Sequence, residues 1–218
     1  MNSTFMKDLQ IFDNLFERYP ILDKCKNSIM KAYEILTYSY DAGGTLYVAG
    51  NGGSAADSEH IVGELMKSFM AKRPINEELS KKLYKVCPDD ADLLNANIEG
   101  GLPAVSLPSF CALSTAVSND VNGDFIFAQA LNSVSKANDV FLGISTSGNS
   151  KNIVYAMEIA KAKGLKCIGL CGAKECKLDS LCDVSIHVPE TETYKIQELH
   201  LPIYHALCAM LESHYWGE

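Results

Sequence analysis

Gly44-Thr45-Leu46-Tyr47-Val48-Ala49-Gly50-Asn51-Gly52-Gly53-Ser54 is the stretch from which the fold can be read. Its opening residues form a short apolar run bounded by glycine, the pattern of a buried strand. Asn51-Gly52-Gly53 predicts a tight turn, because glycine tolerates backbone angles and close approaches that a Cβ forbids. Ser54 is placed to cap a helix running from Ala55 to Phe69, with an apolar side in Ile61, Val62, Leu65, Met66 and Phe69. Strand, glycine turn and helix N-terminus leave N–H groups free for a polar ligand, although an ordinary βα turn has the same outline. Neither GxGxxG nor the P-loop pattern occurs. On the helix, His60 and Glu64 stand four residues apart, so both project from one face.

Outward from this stretch the chain repeats the same rhythm. Leu102–Leu107, Asp139–Ile144, Cys167–Cys171 and Val184–Val188 read as strands. Helices are predicted over Phe110–Val117, through Phe125–Leu131, over Lys151–Lys163 and over Thr193–His214, with a polar turn at Ser118-Asn119-Asp120. Strands alternating with helices imply an α/β protein with a parallel sheet covered on both faces. Ahead of the first strand, Phe5, Leu9, Phe12, Leu15 and Phe16 recur at helical spacing, and a second helix follows from Asp23 to Tyr40. This N-terminal helical pair (1–43) either covers the sheet or meets a partner chain. A charged excursion over 73–103 is expected to hold helices near Glu77–Val86 and Pro88–Ile98. It is either a solvated insertion or a lid that borders the site. The whole of 1–218 reads as a single domain.

Composition narrows the function. The 218 residues are 47% hydrophobic, enough for a full core, and the formal charge of −8 argues against a nucleic-acid partner. No apolar run reaches the roughly 18 residues that span a bilayer, and the N-terminus lacks a secretory apolar core, so a cytoplasmic location is expected. Eight cysteines are scattered without CxxC pairs, which favours reduced thiols over disulfides or a cysteine-type zinc site. Directly after the clearest strand comes Ser145-Thr146-Ser147-Gly148-Asn149-Ser150. Four hydroxyls and a glycine opening a helix make a nest of donors suited to phosphate, at the strand end where α/β sheets bind ligands. A helix cap needs only one serine.

Gly50-Asn51-Gly52-Gly53-Ser54, Ser118-Asn119-Asp120, Gly143 to Ser150 and Lys195-Ile196-Gln197-Glu198-Leu199-His200 together resemble the sugar isomerase (SIS) domain family, and within it the bacterial phosphoheptose isomerases. The resemblance covers nearly the whole chain outside the excursion. It implies a three-layer α-β-α sandwich, flavodoxin-like, with a five-stranded parallel sheet, and a homotetramer with sites where subunits meet. It implies aldose–ketose isomerisation of sedoheptulose 7-phosphate, with Ser145, Thr146, Ser147 and Ser150 on the phosphate. Asn51, Gly52, Gly53, Glu64, Asn119, Asp120 and Gln197 would contact the sugar. The catalytic pair falls on Glu64 and His205, and the ligands of a Zn2+ ion would be His60, Glu64, Gln197 and His205. A carboxylate and an imidazole suit such chemistry, which removes a proton alpha to a carbonyl and returns one to the neighbouring carbon. From the residues alone, His60 and His205 are equally well read as core histidines. His200 projects away from His205 and is left out of the metal shell. His187 and His214 carry no signal.

Two rival functions fit the same fold. A SIS-domain adaptor, like the tetrameric bacterial factor that binds the replication initiator DnaA, has lost the Glu–His pair that this chain keeps. A SIS-domain sensor or isomerase for another sugar phosphate is the second. Ala55 stands where phosphoheptose isomerases usually carry a His, and the excursion is absent from their usual pattern. Both departures bear on which sugar is used.

Overall fold

A computed structural model describes residues 3–217. The side chain of Phe5, placed above on an apolar helix face, and both ends of the 1–218 span lie outside the described residues. Five strands, β1 (Leu46–Ala49), β2 (Ala104–Ser106), β3 (Val140–Ile144), β4 (Lys166–Cys171) and β5 (Val184–His187), lie in the order β2-β1-β3-β4-β5. Every neighbouring pair is parallel. The helices are α1 (Ser3–Arg18), α2 (Lys26–Asp41), α3 (Gly53–Met66), α4 (Glu77–Val86), α5 (Ala91–Asn97), α6 (Cys111–Asp120), α7 (Ile126–Val134), α8 (Lys151–Ala162) and α9 (Thr193–Trp216).

The period of two along each strand sorts the core into two layers. Leu46, Val48, Val140, Leu142, Ile144, Ile168 and Leu170 face one cluster, which is completed by α1, α2, α3 and α9. Tyr47, Ala49, Phe141, Cys167 and Cys171 face the other, under α7 and α8. The architecture is therefore the expected three-layer α-β-α sandwich. Residues 20–25 form a 3₁₀ turn between the N-terminal helices. Within one chain, Ile29, Ala32, Tyr33 and Leu36 of α2 are buried in the core, and Phe12, Leu15 and Phe16 of α1 join them. Core cover is thus observed for both helices.

Some local expectations need correction. Ser54 does not cap α3: the N-cap is Gly52, at φ +55°, and Ser54 is buried in the first turn. Only a glycine takes that left-handed backbone without strain, so the turn starts the helix two residues earlier than a serine cap would. The helix also stops at Met66, which is 56% exposed, because Lys67 is extended. Ser118-Asn119-Asp120 is the last turn of α6, not a separate loop.

The excursion leaves and rejoins the body through a narrow stem. Pro74 and Glu99 form an antiparallel bridge, and the Glu99 carboxylate accepts hydrogen bonds from the Ser68 N–H (2.9 Å) and hydroxyl (2.7 Å). No residue of α4 is buried, so this arm is solvated. Beneath the stem lies a buried ion pair, Arg73 Nε donating to Glu212 Oε1 at 2.6 Å, with side chains 0% and 2% exposed. The guanidinium also donates to the Leu65 and Glu64 carbonyls, and the Glu212 carboxylate accepts from the Phe69, Met70 and Ala71 N–H groups. No described helix is long and apolar enough to cross a membrane.

Removing one partner of a buried pair leaves the other charge uncompensated. Arg73→Met is therefore expected to lower stability by about 3–5 kcal/mol in urea unfolding; a loss below about 1 kcal/mol would show that the pair is dispensable. A second prediction concerns His200, which is fully buried on α9 beside the Cys171 carbonyl. Burial pushes its pKa from 6.5 down to about 4. The unfolded chain then binds the extra proton between those values, so stability is complete above pH 6.5 and declines as pH falls toward 4. The contribution is roughly 3 kcal/mol. His200→Phe should flatten that part of the stability–pH curve, measured by denaturant midpoints across the interval.

Candidate active site

Helices α3 and α9 run side by side in the same direction. The Gln197 amide lies over Gly53, Tyr204 and His205 stand against His60, and Glu212 reaches Phe69. His60 is the centre of the polar group. Its Nε2 lies 3.2 Å from Glu64 Oε1 and 3.4 Å from His205 Nε2. Its Nδ1 lies 3.1 Å from the Tyr204 hydroxyl, which donates to Asp57 Oδ1 at 3.1 Å. Because the tyrosine proton is committed to Asp57, Nδ1 of His60 carries the proton and Nε2 keeps its lone pair in the neutral ring. Burial, then the Asp57 charge, pushes the Tyr204 phenol well up, which keeps that donor protonated. Burial likewise raises Asp57.

The consequence is two acceptor atoms, His60 Nε2 and Glu64 Oε1, facing each other at 3.2 Å. Such a contact calls for a proton or a cation between them. Glu64 Oε2 is buried with no hydrogen-bond partner, and the Lys67 ammonium is 3.8 Å away. Two imidazoles and this carboxylate are donor types that zinc accepts, with Glu64 and His205 each approaching His60. Burial, then the neighbouring His60, lowers the pKa of His205, so its ring is neutral near pH 7. His205 also packs against Phe69 and opens onto a cavity of about 310 Å³ lined by Arg18, Tyr19, Phe69 and Leu201. Neither α4 nor α5 lines that cavity.

The hydroxyl loop lies at the C-terminal end of β3. Gly148 takes φ +61°, which turns Ser145–Ser150 back on itself. Ser145 Oγ and Ser150 Oγ are 3.1 Å apart, and the Gly172 N–H donates to the Thr146 carbonyl. Beside the loop is a cavity of about 210 Å³ lined by Thr146, Ser147, Asn149, Lys174 and Thr193. Asn51 and Asn152 exchange two amide hydrogen bonds, at 2.9 and 2.8 Å, and so tie the glycine turn to the start of α8. The two loops share one rim, as the strand order requires. A larger cavity, about 930 Å³, lies between the ends of α1 and α9 and contains none of these groups.

Placement of the expected residues is uneven. His60, Glu64 and His205 are brought together. Gln197 is turned toward Gly53, roughly 12 Å of helix rise from His205. Asn119 and Asp120 are exposed and bonded to each other at 2.8 Å, and the turn after them approaches α8 through an Asp124–Lys151 contact of 3.5 Å. Asp57 and Tyr204 were not anticipated. Asp57 precedes His60 by three residues and Tyr204 adjoins His205, so helical spacing carried the signal. Asn152 and Arg73 had no such signal, since their partners are distant in sequence.

Comparison with known proteins identifies the family. SIS-domain family models match residues 14–83 and 115–214. A phosphoheptose isomerase of Aneurinibacillus thermoaerophilus is 38% identical over 183 residues, 84% of this chain and 77% of that protein. One of Leptospira biflexa is 35% identical over 208 residues, 95% of this chain and 94% of the relative. Among solved structures, a phosphoheptose isomerase from Francisella tularensis aligns with a TM-score of 0.73 at 27% identity, over 96% of this chain and 95% of that one. Phosphoheptose isomerase GmhA from Neisseria gonorrhoeae aligns over the same shares with a TM-score of 0.70, also at 27% identity. With 38% identity over most of its length to a phosphoheptose isomerase, this chain belongs to the phosphoheptose isomerase family of SIS-domain proteins.

Proposed function

We propose that this chain is an aldose–ketose isomerase that converts sedoheptulose 7-phosphate to D-glycero-D-manno-heptose 7-phosphate through an enediolate. The observation that carries it is the Glu64–His60–His205 group on paired helices, one of which, α3, starts at the sheet rim that also bears a hydroxyl-rich loop. The phosphate is held by Ser145, Thr146, Ser147 and Ser150 and by the N–H groups opening α8, which favour an anion without a lysine. Asn51, Gly52, Gly53, Asn119, Asp120 and Gln197 contact the sugar hydroxyls.

In the ketose, the proton to be removed sits on C1, next to the C2 carbonyl. Glu64 takes it, using the carboxylate oxygen that has no hydrogen-bond partner. The same carboxylate returns the proton to C2. His205, neutral at pH 7, moves the proton between the two oxygens, giving at one and accepting at the other. Phe69 and Tyr204 flank its ring and hold its orientation. Asp57 and Tyr204 keep His60 in the tautomer that points its lone pair at Glu64. Zn2+, held by His60, Glu64 and His205, would polarise the carbonyl and steady negative charge on the enediolate.

The active form on this proposal is a cytoplasmic homotetramer. In support, the His60 side chain is 43% exposed in one chain, leaving the site open for a neighbouring subunit to close. All eight cysteines are free thiols, as a reducing compartment favours.

Glu64→Gln and His205→Ala should each lower kcat for sedoheptulose 7-phosphate by about 10²–10⁴-fold. Circular dichroism and light scattering should show an unchanged fold and tetramer; near-normal turnover in either variant would refute the assignment. Gly148→Ala tests the other end of the site. A Cβ there would meet the Cys176 side chain and a left-handed backbone. The expected result is a KM raised by about tenfold or more, the scale of one lost charge-assisted contact, with a smaller change in kcat.

A further inference from the structure

Cys176, Asp179 and His187 meet where the turn after β4 reaches the end of β5. A sulfur, a carboxylate oxygen and an imidazole nitrogen from these three lie within 4.8 Å of one another. The sequence offers no CxxC pair to announce them. Two reciprocal hydrogen bonds hold the first two in place. The Cys176 sulfur accepts the Asp179 N–H, and Asp179 Oδ2 accepts the Cys176 N–H at 2.8 Å. That leaves Asp179 Oδ1 free to face His187 Nε2, 2.7 Å away.

The tautomer of His187 is set from its other side. Its Nδ1 lies 2.7 Å from the Gly172 carbonyl, which can only accept, so Nδ1 carries the proton. Nε2 faces the Asp179 carboxylate, so an ion at this site would replace the proton held between them, with the carbonyl keeping the ring oriented. Cys171 Sγ lies 3.9 Å from Cys176 Sγ and is buried beneath it, where it packs the cysteine in place. Cys176 itself is partly exposed. An Asp179–His187 ion pair alone would explain two of these groups and leave the sulfur held beside them without a role.

We propose that Cys176, Asp179 and His187 form a zinc-type metal site distinct from His60, Glu64 and His205. Thiolate, imidazole and carboxylate in one set select zinc-like ions over magnesium or calcium. Zinc with donors at roughly 2.0–2.3 Å spaces neighbouring tetrahedral donors roughly 3.3–3.8 Å apart. The donors here already bracket that spacing, and the Asp179–His187 contact opens by rotating one exposed carboxylate. Binding releases the Cys176 proton and leaves the thiolate on the metal. Because Cys176 packs directly on Gly148, and the Lys177 N–H donates to Asn149 Oδ1 at 3.1 Å, the ion would clip the turn after β4 to the Ser145–Ser150 loop. Its role is structural, stiffening one wall of the phosphate loop.

Cobalt(II) tests this site apart from the catalytic group, since only a thiolate ligand produces an intense sulfur-to-cobalt charge-transfer band in the near ultraviolet. The full-length protein, reduced and stripped by a chelator, is titrated with cobalt. The band should rise to saturation at one ion per chain, and added zinc should abolish it. It should disappear in Cys176→Ser, weaken in His187→Gln, and persist in a His60→Ala/His205→Ala variant, with circular dichroism confirming that each variant is folded. Cobalt uptake with no sulfur band, or a band indifferent to Cys176→Ser, overturns the proposal. So does Cys176 alkylation at the same rate with and without zinc.

Discussion

The pairing of α3 with α9 rests on one buried ion pair, Arg73 with Glu212. Two charges taken out of water are costly, and a pair in that position persists only where hydrogen bonds complete both partners. Here they do. The guanidinium closes the C-terminal carbonyls of α3, at Glu64 and Leu65, which no helical N–H can reach. The carboxylate receives three successive N–H groups where the chain turns away from α3. Trp216 stacks on the guanidinium at 4.9 Å. One interaction thus ends α3, launches the excursion and clamps α3 to α9.

That clamp matters because the proposed catalytic groups are shared between the same two helices. Glu64 lies on α3 with its own carbonyl bound to Arg73, and His205 lies on α9 two turns before Glu212. The parallel run of these helices puts His60 beside both Tyr204 and His205. The tautomer of His60, and with it the lone pair aimed at Glu64, follows from packing as much as from residue type. At the sheet rim the physics differs: the hydroxyl loop is shaped by the left-handed Gly148, and the amide exchange between Asn51 and Asn152 ties the glycine turn to α8.

The excursion illustrates how far local pattern reaches. Its helix α4 was legible to the residue, since Asn76 caps it and Glu77–Lys81 and Glu78–Lys82 pairs lie along its surface. Its attachment was not legible. Arg73 looked like one charge among many in a solvated arm, yet it is among the largest fully buried side chains. The cysteine cluster hid for a related reason: Cys171, Cys176, Asp179 and His187 are spread over a strand, a turn and a second strand, with no spacing that a single helix or loop would impose.

By itself the sequence determined whatever depends on short-range periodicity: the five parallel strands, their two-sided burial, the glycine turn, the hydroxyl loop and the His60–Glu64 pairing on one helix. These follow from periods of 2 and 3.6 and from the backbone freedom of glycine, which act within a few residues. Resemblance of motifs added Gln197 and His205. Only the tertiary structure decided that α3 and α9 run in register, that Arg73 and Glu212 bind them, that Tyr204 and Asp57 set the His60 tautomer, and that Gln197 turns toward Gly53. Each of these joins residues far apart in the chain. Burial and hydrogen-bond satisfaction across packed elements choose such partners, and no local pattern encodes that choice.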